Sequence, residues 1–96
     1  MDLRDVAAAP RQAAEALLTA LAAHDAGALA GLCVFPSDGG VMFEWRERGV
    51  YVDVAPGGTF DVSTAAAPNA DQRVEITSKV FASANDASTY LKYLFM

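Results

Sequence analysis

The sequence predicts an α+β fold in two layers. An N-terminal helix or helix pair precedes an antiparallel β-meander of three to four strands, and a helix closes the chain. Three observations lead there. Before Pro36, apolar residues recur at helical spacing. After Pro36 they alternate with period two. From Ser83 onward the helical period returns.

The first helix is expected over 10–23 (PRQAAEALLTALAA). Ala14, Leu17, Leu18 and Leu21 follow i, i+3, i+4, i+7 spacing and share one face. Pro10 suits the first turn, where its missing N–H costs nothing. His24-Asp25 is expected to break this helix, with Asp25 capping a short second helix over Ala26–Leu32 that ends near Gly31. One bent helix from Pro10 to Leu32 is the alternative. Pro36-Ser37-Asp38-Gly39-Gly40 reads as a loop.

Residues 41–47 (VMFEWRE) alternate, with Val41, Phe43 and Trp45 on one face and Met42, Glu44 and Arg46 on the other. Residues 50–55 continue the pattern with Val50, Val52 and Val54 against Tyr51 and Asp53. A two-residue turn at Arg48-Gly49 would pair Glu47 with Val50, Trp45 with Val52 and Phe43 with Val54, keeping the apolar residues together. After Pro56-Gly57-Gly58, the strand 59–64 would pair Val54 with Phe60, Asp53 with Asp61 and Val52 with Val62. A loop over 65–72 leads to a fourth strand, 73–81, with Val74, Ile76 and Val80 inward and Arg73, Glu75, Thr77 and Lys79 outward. Ser83 and Asp86 form a capping-box-like pair opening a helix from Ala84 to Phe95. Ala87, Tyr90, Leu91 and Leu94 make its buried stripe.

Composition bounds the function. The 96 residues form one small domain, 1–96. Apolar residues make up 53%, yet 20 of those 51 positions are Ala, leaving 31 larger side chains for a core. The content is too apolar for a wholly disordered chain. A net charge of −5 argues against direct nucleic-acid binding, which needs a basic face. No apolar run approaches the roughly 18 residues of a membrane span. The N-terminus lacks the pattern of a signal peptide, and a single Cys fits a reducing cytosol.

The registers together place Glu44, Asp53 and Asp61 in one row across three strands of the outer face. Like charges directly opposite destabilise a sheet. Such a row is a solvated face relieved by cations such as Arg46, a protein-binding surface together with Met42 and Tyr51, or a site for a hard cation; a flat strand does not wrap an ion as a loop does. His24 reads as a helix terminus and Cys33, among Leu32, Val34 and Phe35, as a buried structural thiol. Gly39-Gly40 and Gly57-Gly58 lack the lysine and spacing of a phosphate loop and read as turns. Trp45 reads as core. Tyr93, Phe95 and Met96 are candidate contacts of a homodimer, since Tyr90, Leu91 and Leu94 already fill one helix face.

The stretch DGGVMFEWRERGVYVDVAPGGTFDV (38–62) looks like a hairpin pattern of small bacterial proteins, and FASANDASTYLKYLF (81–95) resembles the C-terminal part of immunity proteins that neutralise polymorphic toxins. That resemblance implies a cytosolic protein that binds and blocks an enzyme. Residues 11–34 also look like the opening helices of the nuclear-transport-factor-2-like cone fold, and the element order is similar to dimeric secretion chaperones; these imply a ligand pocket or an effector segment as cargo. The expectation is a non-enzymatic, cytoplasmic, acidic domain without metal or cofactor. It would mask a basic site on a toxin, nuclease or defence complex, its carboxylates mimicking nucleic-acid phosphates. The candidate contacts are Glu44, Asp53, Asp61, Met42, Tyr51 and Arg46.

Overall fold

A computed structural model describes residues 7–24, 26–65 and 76–95. The architecture is α+β, with two helices on one face of a five-stranded antiparallel sheet. The strands β1 (Leu32–Ser37), β2 (Gly40–Trp45), β3 (Val50–Val54), β4 (Phe60–Ala65) and β5 (Ile76–Phe81) lie in sequence order across it. Helix α1 (Ala8–His24) lies against β2 and β3, and α2 (Ala84–Leu94) against β4 and β5; the helices also pack on each other.

Helix α1 forms as its spacing predicts, burying Ala14, Leu17 and Leu21 and half-burying Leu18. Fully burying a Leu side chain is worth about 1.5–3 kcal/mol. In place of the expected second helix over Ala26–Leu32, a 3-10 turn forms over Ala26–Leu29. Asp25, its expected cap, lies outside the described residues. Leu32 instead opens a fifth strand, so the meander has five strands rather than three to four. The segment read as a loop after Pro36 is the end of β1 and a tight turn. Asp38 and Gly39 both take positive φ, 49° and 82°, the backbone of a two-residue type I′ hairpin. Ser37 then faces Gly40 as a hydrogen-bonded pair, and by alternation Leu32, Val34 and Pro36 turn their backbone groups to the open edge. Pro36 therefore removes no ladder bond. Gly40 admits no side chain, because a Cβ there would run into the Val54 carbonyl of β3.

The inner face is the core. Val41, Phe43, Val52 and Val54 have no exposed surface, and Phe60, Val62, Ala87 and Leu91 close around them. Trp45 packs edge-on against Phe95, ring centroids 5.1 Å apart, and its Nε1–H donates to the Ala28 carbonyl at 2.7 Å. That bond ties the 3-10 turn to the sheet. Ser83 caps α2, its Oγ accepting the Asp86 N–H at 3.2 Å.

Two registers differ from expectation. Trp45 pairs with Val50, Phe43 with Val52 and Val41 with Val54, two residues away from the expected β2–β3 pairing. Arg48-Gly49 does not form a two-residue turn, because a type I′ turn would force Arg48 to positive φ. Arg46–Arg48 wind a 3-10 turn instead, closed by the Gly49 N–H donating to the Arg46 carbonyl at 3.2 Å. A two-residue shift keeps every side chain on its face, so alternation alone does not distinguish the two pairings. The β3–β4 register is as expected. In β5, Lys79 and Val80 exchange the expected faces. Phe81 pairs with Phe60 and sits 5.3 Å from Tyr90, so entry into α2 sets the strand's phase. Lys79 then shares the helix side, its ammonium 5.1 Å from the Tyr90 ring centre, and Val80 points outward, 66% exposed. Val74 and the loop 66–75 lie outside the described residues.

Candidate interaction surface

Among the described residues no helix packs on the outer face of the sheet. Its side chains form two rows set by strand pairing. One row reads Phe35, Met42, Asp53, Asp61, Val80, and the next Cys33, Glu44, Tyr51, Ser63, Ser78. Five strands at about 4.8 Å spacing make each row roughly 19 Å long.

The expected three-carboxylate row is thereby corrected. Glu44 lies opposite Tyr51, and Met42 lies opposite Asp53. Glu44 is also neutralised within the chain, since Arg46 Nε donates to its Oε2 at 2.8 Å. The Glu44 hydrogen bond and charge in turn hold the Arg46 guanidinium above its ordinary pKa. Asp53 and Asp61 do face each other, in a hydrogen-bonded pair whose Cα atoms are about 5.5 Å apart. Among the described residues no cation bridges either carboxylate. Partial burial raises the Asp53 pKa, and the charges of Asp61 and Asp38 raise it further. Asp38, at the β1–β2 turn, is thus the third acid of the cluster in place of Glu44.

Phe35 and Val80, exposed at the two ends of the first row, belong to this surface and were not expected there. The Asp38-Gly39 dipeptide is the signal for Phe35, since a hairpin at that point sets β1 beside β2. Met42 and Tyr51 are half-buried on the same face, and Arg46 lies at its border. Cys33, expected in the interior, is exposed on β1.

The C-terminal candidates are separated by the structure. Tyr93 is 72% exposed on α2. Phe95 is held within the chain between Trp45 and the Arg48 guanidinium, which lies 4.5 Å from its ring centre. Met96 and the His24 side chain lie outside the described residues; His24 is the last residue of α1. On the helix side of the sheet, Val41, Phe43, Val52, Val54, Phe60 and Val62 pack with Ala14, Leu17, Leu21, Ala87 and Leu91. A recess lined by Ala30, Gly31, Trp45, Glu47 and Arg48 holds about 30 Å³, on the scale of one water molecule. Among the described residues no cluster of His, Cys, Asp or Glu is arranged to hold a metal ion, and no helix is long and apolar enough to cross a membrane. Comparison with family models, curated proteins and solved structures gave no match.

Proposed function

We propose that the chain is a non-enzymatic protein-binding domain that masks a basic site on a partner, using the outer face of its sheet. The observation that supports this most is the Asp53–Asp61 pair. Two carboxylates stand opposite each other at the middle of an uncovered face, with apolar Phe35 and Met42 on one side and Val80 on the other. Like charges so placed cost stability. An Arg or Lys cluster on a partner would neutralise them and rest its aliphatic stems on the flanking apolar side chains. Met and aromatic side chains such as Met42, Phe35 and Tyr51 are enriched at interfaces. The class of function is an inhibitor or immunity protein acting in the cytoplasm on a toxin, nuclease or defence complex, with the carboxylates standing where phosphates would.

The test is capture from the native host at low salt, comparing the wild-type chain with Asp53→Asn/Asp61→Asn and with a helix-side control, Glu15→Gln/Asp86→Asn. A specific partner is retained by the wild type and the control, elutes as salt rises, and is lost by the sheet variant. Equal retention by all three chains rules the acidic face out.

A further inference from the structure

The two edges of the sheet differ. On β1, Pro36 occupies an edge-facing position and offers no N–H, a device that blunts an edge against pairing. Among the described residues of β5, Ile76–Phe81, there is no proline. The Ala55 N–H donates to the Thr59 carbonyl at 2.9 Å, which makes Asp53–Asp61 and Tyr51–Ser63 the hydrogen-bonded pairs of β3 and β4. By alternation Phe60, Val62 and Thr64 bond to Phe81, Lys79 and Thr77. Ile76, Ser78 and Val80 therefore turn their N–H and C=O groups away from β4, and among the described residues no strand receives them. The one charged residue of β5, Lys79, lies over the Tyr90 ring rather than guarding the edge.

We propose that the β5 edge is a homodimer interface, in which β5 of a second copy pairs antiparallel about Ser78 to form a continuous ten-stranded sheet. The strand, Ile-Thr-Ser-Lys-Val-Phe, is complementary to itself in this register. Ser78 meets Ser78 of the copy, the exposed Val80 meets position 76, and Lys79 meets Thr77, so no like charges are opposed. About six backbone hydrogen bonds close across the axis. The charge distribution favours this edge over stacking of the two outer faces. Stacking would bring the Asp53–Asp61 pairs together, whereas edge pairing leaves the two Asp61 positions three strand spacings apart across the sheet, about 14 Å, and four residues apart along it, beyond the screening length of about 8 Å at physiological salt. The dimer doubles the outer face without covering it, and does not depend on that face binding a partner.

The experiment is sedimentation of the intact chain up to about 0.5 mM, with Ser78→Pro and Val80→Lys as variants. Ser78→Pro copies on β5 what Pro36 does on β1: it removes an edge-facing donor and no bond to β4. The wild type is expected at about twice the 10.1 kDa of one chain. Both variants are expected at the mass of one chain, with unchanged circular dichroism and Trp45 fluorescence. A wild type that stays monomeric overturns the proposal, as does a dimer that survives in folded Ser78→Pro. Should that variant fail to fold, Val80→Lys decides by the same readout.

Discussion

The same five strands present two faces that obey different rules. The inner face takes Val41, Phe43, Val52 and Val54 out of water completely and satisfies the one polar group it buries on Trp45. The outer face mixes half-buried Met42 and Tyr51, an internally paired Glu44 and two opposed aspartates. Packing explains the first arrangement. It does not explain the second, because a sheet selected for stability alone would separate Asp53 from Asp61 or set a cation between them. The contrast shows where to look for function: at the place where local electrostatics run against stability.

The comparison is sharpest for large truncations. Trp45→Ala removes the indole from between Phe43 and Phe95 and orphans the Ala28 carbonyl, and is expected to cost about 3–5 kcal/mol. Met42→Ala, on the same strand but the outer face, is expected to cost less than about 1.5 kcal/mol. Urea unfolding measures both, and similar losses would mean that the outer face is covered in solution. Gly40→Ala comes next, because the new Cβ meets backbone at Val54 rather than a side chain that can move. A loss of about 1–3 kcal/mol is expected, and a neutral result would place the β2–β3 register elsewhere.

The smallest effect is the most informative. Asp53→Asn is expected to raise stability at pH 7 by a few tenths of a kcal/mol, limited by solvent screening. The sign follows from linkage. The folded Asp53 pKa lies above its unfolded value, so the folded chain binds the proton more tightly and stability falls as pH rises through that window. The gain from Asp53→Asn should therefore fade as pH falls below the ordinary carboxylate range. A gain that persists in acid would assign the effect to something other than charge.

The sequence carries much of this fold, and the residues it misleads on have physical causes. Helical spacing locates Ala14, Leu17, Leu21, Ala87 and Leu91, because burial of one helix face needs that period. Alternation locates the inner faces of β2, β3 and β4. It does not separate registers two residues apart, so alternation alone also permits Glu44 opposite Asp53, where the structure has Tyr51 opposite Glu44. The turn chemistry of Arg48-Gly49 carries that information, as Asp38-Gly39 carries the presence of β1. At β5, packing of one ring, Phe81, on Tyr90 sets the phase and turns Val80 outward. Of the candidate contacts, the Asp53–Asp61 pair was legible because its loop length fixes the register. The roles of Asp38, Phe35 and Val80 were not, since each depends on a strand whose presence or phase is set by tertiary structure.

If the opposed aspartates serve a partner as proposed, they do so at the expense of stability. The most direct measurement takes one variant, Asp53→Asn/Asp61→Asn, and reads two quantities from it, urea midpoint at pH 7 and retention of the captured partner across a salt series. Opposite signs are expected: a higher midpoint, and retention lost together with its salt dependence. A raised midpoint with retention unchanged would contradict the proposal, leaving the pair an unfavourable but idle feature of a solvated face.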